Sequence, residues 1–209
     1  MRYQAALRPD SLHYSGLPCT DYNVSVIPQR QYALVAYIKD ALGEFVENLR
    51  GELHPAHAHL PAHITVLPPR CLRGPESDAI SLVERICEEA NPFEVTLGDV
   101  ENFMPKTATV FIRVAFAAYR LRELHDKLNA GALAYDEQWP YMPHLTIVKV
   151  DSLDDAACAL EVARQRWAKF SQPRKVMVEE LTFVRQGEDT DTWIDIIPVP
   201  LGKRLVSSR

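Results

Sequence analysis

Two stretches of this sequence repeat one four-residue pattern: His63-Ile64-Thr65-Val66 and His144-Leu145-Thr146-Ile147, the histidines standing 81 residues apart. Residues two apart in an extended strand project from the same face. Each copy therefore sets an imidazole beside a hydroxyl and turns its apolar partners toward a core. An imidazole, with an unperturbed pKa near ~6.5, can accept or deliver a proton around neutral pH. Two of them on opposite sides of one phosphate could deprotonate an attacking oxygen and protonate a leaving one, each step contributing roughly 100-fold or more. The hydroxyls of Thr65 and Thr146 would donate to the non-bridging oxygens as negative charge builds there. This scheme asks for no metal and no cofactor.

One His-x-Ser/Thr tripeptide means little, because ordinary composition produces about one in a chain of this length. His13-Tyr14-Ser15 is such a case, followed by Gly16 and lying outside any repeat. Either strand copy alone is equally well read as a histidine bonded to a backbone carbonyl. Two copies at the same place in two similar halves call for a shared purpose.

Other residues near the patterns are candidates with plainer alternatives. Arg70 follows the first strand and Lys149 lies beyond Thr146, so either could neutralise a substrate phosphate. The odd offset of Lys149 from His144 turns it from the histidine's face, and a solvated charge is the plain reading of both. Tyr141 and Phe103 could stack on a nucleobase at the mouth of a cleft, or simply pack. His54, His57 and His59 have spacing that could bind a transition metal, but no cysteine or carboxylate ligand matches them, so no metal site is assigned.

The elements that must hold these residues can be read from periodicity. Tyr32 to Ile38 alternates as a strand. Asp40 can cap a helix with Leu42, Phe45, Val46, Leu49 and Leu53 on one stripe. Ala62 to Leu67 reads as a strand stopped by Pro68 and Pro69. A helix capped by Ser77 carries Ile80, Val83, Ile86 and Cys87, and Phe93, Val95 and Leu97 alternate as the next strand. The second half repeats the order: strand Thr109 to Ala115, a helix ending at Gly131, strand His144 to Val150, and a helix opened by Ser152 and Asp155. Lys175 to Val184 and Thr192 to Val199 close the chain as strands around the turn 186–191.

The chain has 209 residues, 47% hydrophobic and 24% charged, with a formal net charge of -5. That suffices for a substantial core and offers no global positive field for a long duplex. Cys19, Cys71, Cys87 and Cys158 have no paired spacing, which suggests idle thiols in a reducing compartment. No apolar run is long enough for a bilayer. A cytoplasmic monomer without membrane contact is expected. Residues 1–30 read as an arm or leader, 31–199 as the domain, with lobes 31–104 and 105–199 free to interleave, and 200–209 as a basic tail.

On its paired His-x-Thr-apolar motifs, the chain resembles the 2H phosphoesterase superfamily, which includes 2′-5′ RNA ligase-like and cyclic phosphodiesterase proteins. The resemblance spans Gln31 to Val199. Together with the repeat, it implies an α+β fold in which a duplicated unit, related by a pseudo-two-fold, sets two antiparallel sheets around a central cleft with helices outside. It also implies that one histidine serves as base and the other as acid, in either order. The expected activity is metal-independent hydrolysis of a 2′,3′-cyclic phosphate on an RNA end or a small cyclic nucleotide, with 2′-5′ ligation as the reverse. The alternative is a non-catalytic module that binds a nucleotide or an RNA end in the same cleft.

Overall fold

A computed structural model describes residues 30–188 and 192–203. The expected arm, apart from Arg30, lies outside the described residues, as do 189–191 of the expected turn and 204–209 of the tail. The strands are β1 (Tyr32–Tyr37), β2 (His63–Arg70), β3 (Phe93–Asn102), β4 (Thr109–Phe116), β5 (His144–Lys149), β6 (Lys175–Val178), β7 (Glu180–Gln186) and β8 (Trp193–Pro200). The helices are α1 (Ala41–Leu53), α2 (Glu76–Glu89), α3 (Ala118–Leu128) and α4 (Leu153–Ala168).

The α+β duplicated architecture is present, and its two sheets are joined edge to edge. They form one eight-stranded antiparallel sheet in the order β6-β3-β4-β5-β2-β1-β7-β8. Strands from the two chain halves interleave: β3 sits with β4, β5 and β6, whereas β7 and β8 return to β1 and β2. Helices cross over as well, α1 packing on β5 and α3 on β2. The joint is slight. Among the described residues, β2 and β5 register through one Cα pair, Ile64 with Leu145.

Alternation explains which face the helices cover. Ile64, Val66, Leu145 and Ile147 are fully buried in one core with Val46 and Leu49 of α1, Val83 of α2, Leu121 and Leu128 of α3, and Ala163 and Trp167 of α4. Their strand neighbours His63, Thr65, His144 and Thr146 therefore look out of the opposite face. Gly43 sets α1 hard against the end of β1, since a Cβ there would collide with the Ile38 carbonyl oxygen.

Capping follows the sequence at two helices. Asp40 accepts from the backbone N–H groups of Leu42 and Gly43, and Ser152 accepts from that of Asp155. It fails at a third, where α2 begins after Pro75 with no side-chain cap and Ser77 already lies inside the helix. Pro75 itself holds the N-cap position there, with an extended backbone.

Three further expectations are corrected. Lys175 to Val184 is two strands, broken at Glu179 and pairing at opposite places in the sheet, β6 with β3 and β7 with β1. Strand β2 runs through Pro68 and Pro69 to Arg70, pairing Arg70 with Tyr32 across register shifts. Such irregularities are where a sheet tolerates the missing proline donor. Cys71 is disulfide-bonded, while Cys87 and Cys158 are free. Sequence spacing cannot show which sulfurs meet in space. Among the described residues no helix is long and apolar enough to cross a membrane.

Candidate active site

Both histidines open their strands, and both are held in the same way. The Nδ1–H of His63 donates to the Pro61 carbonyl at 2.8 Å, and that of His144 to the Met142 carbonyl at 2.7 Å. A carbonyl can only accept, so each ring carries its proton on Nδ1, and Nε2 is the nitrogen that exchanges protons with a substrate. One local device, a carbonyl two residues upstream, thus fixes both tautomers.

The joint between the half-sheets brings the two motifs together. Continuing the antiparallel register one residue either side of Ile64 and Leu145 sets His63 across from Thr146 and Thr65 across from His144. Each histidine thereby has the other motif's threonine as its cross-strand neighbour. Thr65, His144 and Thr146 are buried.

Aromatic rings flank each imidazole. Tyr37, the β1 partner of His63, meets it edge to face with centroids 6.2 Å apart. Phe103 and Phe111 each stand 5.1 Å from His144. Arg113 is the β4 partner of His144 and shares its face, with Glu101 3.5 Å away.

The candidate residues meet different fates. His63, Thr65, His144 and Thr146 come together, and Phe103 stands beside them. Tyr141 lies behind the strand: its hydroxyl donates to the Thr65 carbonyl at 2.7 Å and its ring stacks on His125 at 4.3 Å. Burial pushes its phenol pKa well above the ordinary value, and the Glu137 charge adds to this. Arg70 is a correction. It is 1% exposed, donating to the carbonyls of Pro68 and Leu133, to Asn129 Oδ1 and to Glu137 Oε1. Its odd offset from His63 sets it on the face of Ile64 and Val66, the helix side, where its guanidinium is committed to protein groups. His54 and His57 stack face to face at 4.0 Å, and no group of three metal-ligating side chains occurs among the described residues.

Sequence reading missed Arg50, a residue that looks like an ordinary last-turn cation of α1. It is 2% exposed and donates to the carbonyls of Thr146, Ile147 and Leu60. Tyr37 and Arg113 were missed too, although strand parity with the motifs was the signal that could have found them. Arg50 and Tyr141 act as a pair. Beside the Ile64–Leu145 joint, these two side chains donate to the backbone carbonyls of Thr146 and Thr65.

With this geometry in place, comparison with known proteins is decisive for family. The family model described as the 2'-5' RNA ligase superfamily matches residues 38–190. The chain belongs to that superfamily. Its 2H phosphoesterase character extends to curated relatives. A candidate phosphoesterase of Bacillus cytotoxicus is 26% identical over 163 residues, covering 77% of this chain and 90% of its own. One of Halalkalibacterium halodurans is 27% identical over 175 residues, covering 82% and 98%. Among solved structures, this superfamily member is similar to Escherichia coli LigT complexed with NADP+. The TM-score is 0.55 at 15% identity, with 84% of this chain and 99% of LigT covered. TT0787 of Thermus thermophilus gives a TM-score of 0.53 at 15% identity, with 83% and 98% covered. At such identities these two likenesses concern the fold.

Proposed function

We propose that this protein is a phosphodiesterase that opens 2′,3′-cyclic phosphates on RNA ends or small nucleotides through His63 and His144. The observation that carries the reading is the matched state of the two imidazoles. Both donate Nδ1–H to a carbonyl two residues upstream, and both belong to strands that meet at Ile64 and Leu145.

One histidine, neutral, takes a proton from water through Nε2 as the water oxygen bonds to phosphorus. The other, as imidazolium, gives its Nε2 proton to the ribose oxygen as the ring P–O bond breaks. Thr65 and Thr146 donate to the non-bridging oxygens, where charge accumulates. The sum is water added across one P–O bond, with the two histidines exchanging protonation states. With a 5′-hydroxyl in place of water the same steps join its oxygen to phosphorus as the ring P–O bond breaks, which is the corresponding ligation. Solved LigT structures described with phosphate, 3'-AMP and ATP favour a nucleotide-sized ligand here.

The test is to incubate purified protein with 2′,3′-cyclic AMP and with a short RNA ending in a cyclic phosphate, with and without chelator, beside His63→Ala and His144→Ala. Chelator-resistant turnover by the parent protein, reduced roughly 100-fold or more in either variant, is the expected result. Full activity in either variant removes that histidine from the mechanism. Binding without turnover would leave the protein a nucleotide-binding module.

A further inference from the structure

The backbone approaches to the two histidines are built alike, position by position. One residue before each ring, a carbonyl is pinned to the next strand: Ala62 accepts from the N–H of Ile38, directly after β1, at 2.8 Å, and Pro143 from that of Val114 in β4 at 3.3 Å. Two residues before, the carbonyls of Pro61 and Met142 accept from the Nδ1–H groups of His63 and His144. Three residues before, each approach is tied to the other motif. Tyr141 reaches across directly, its hydroxyl donating to the Thr65 carbonyl at 2.7 Å. Leu60 is reached through Arg50, whose guanidinium donates to the Leu60 carbonyl and, at 2.8 Å, to the Thr146 carbonyl.

The two ties are thus equivalent in the duplicated unit, although one uses a phenol and the other a guanidinium. Their chemistry differs while their endpoints match: the residue three before one histidine, and the carbonyl of the threonine two after the other.

The ties supply what the strand ladder lacks. Strands β2 and β5 register through one Cα pair, Ile64 with Leu145. Proton transfer between an imidazole and a bound phosphate ester tolerates roughly 0.5 Å of misplacement, and a single pairing leaves the angle between two strands free. Helices anchor both ties. Arg50 is 2% exposed at the end of α1, and Glu47, one turn earlier, accepts from the Ala62 N–H at 2.7 Å, so α1 grips the chain on both sides of Pro61. The Tyr141 ring stacks on His125 of α3 at 4.3 Å.

We propose that Arg50 and Tyr141 are positioning residues, each holding the acceptor carbonyl of one histidine at a set place relative to the opposite motif. The inference rests on the phosphodiesterase reading above and deepens it: acid and base are aligned by side chains that lie outside both motifs and do not touch the phosphate.

The experiment measures kcat and KM for 2′,3′-cyclic AMP in the parent protein, Tyr141→Phe and Arg50→Met. Val83→Ala, in the buried face of α2, controls for lost stability, and all are assayed where circular dichroism shows them folded. The two positioning variants should lose kcat roughly 10- to 100-fold with KM little changed, because the threonines facing the phosphate keep their side chains. Val83→Ala should keep the parent's constants. The ring tautomers give a second readout, from ¹⁵N spectra of histidine-labelled protein with His63→Ala and His144→Ala assigning the signals. Tyr141→Phe should release His144 from its Nδ1–H form, and Arg50→Met should release His63. A parent-like kcat or unmoved His144 signals in Tyr141→Phe overturn the proposal, as does a Val83→Ala that behaves like the positioning variants. If Arg50→Met does not fold, Tyr141→Phe decides. If the parent turns over no cyclic phosphate, the phosphodiesterase reading fails, and the tautomer spectra alone decide the positioning role.

Discussion

Tyr141 donates its hydroxyl proton to the backbone carbonyl of Thr65 at 2.7 Å, across 76 residues of sequence. The bond lies where β2 separates from β5, and it fixes the strand on which Thr65 and His63 are mounted. Removing it with Tyr141→Phe keeps the ring and its stack on His125 while leaving a buried carbonyl without this donor. A loss of about 1–3 kcal/mol is expected, measurable by denaturant unfolding. A stability equal to that of the parent would show that the carbonyl finds water or another donor there.

Arg50 performs the matching task for β5. Arg50→Met fills much of the same volume but withdraws donors from the carbonyls of Thr146, Ile147 and Leu60. At about 1 kcal/mol or more for each unsatisfied group, the loss should be at least about 3 kcal/mol, larger than that of Tyr141→Phe. Urea midpoints for the two variants, measured side by side, check the order.

Glu137 joins a buried guanidinium and a buried imidazole, accepting from Arg70 at 2.7 Å and lying 2.9 Å from His125 Nε2. Burial alone would raise its carboxyl pKa, but the hydrogen bond and charge of His125, and then Arg70, outweigh it and hold the group below its ordinary 4.5. A carboxyl depressed on folding stabilises the protein above its unfolded pKa, and that contribution fades as pH falls through the folded value. Glu137→Gln should therefore be destabilised at neutral pH, by about 3–5 kcal/mol if the buried Arg70 guanidinium is left uncompensated. The gap to the parent should narrow below about pH 4. Thermal melts of both proteins across that range test the sign; a gap that widens on acidification would contradict it.

The pH dependence of turnover follows from the paired histidines. The proposed mechanism needs one ring neutral and one protonated, so kcat/KM for a cyclic phosphate should fall on both the acid and alkaline sides. Chelator should leave the bell unchanged. A single-sided profile, or activity lost to chelator and restored by zinc, would count against the mechanism.

Much of the site was legible because its pattern is local. The two-residue period of a strand is short-range geometry, so His63 with Thr65, and His144 with Thr146, could be assigned to one face each before any fold was known. The caps at Asp40 and Ser152 were legible for the same reason. Arg70 was misread although its odd offset from His63 already set it on the face of Ile64 and Val66, where Asn129, Leu133 and Glu137 receive its guanidinium. Tyr141 and Arg50 carried no local sign of their tasks. The need they meet arises only where two strands from distant parts of the chain part company.

The amino-acid sequence by itself determined that the chain is a duplicated α+β unit, and that each copy offers an imidazole and a hydroxyl from one strand face. Only the tertiary structure decided that β2 and β5 meet at Ile64 and Leu145 and that the halves interleave. The division is physical. Side-chain alternation and capping depend on bonds between near neighbours, whereas strand pairing and the satisfaction of buried carbonyls depend on groups brought close only when the whole core is buried.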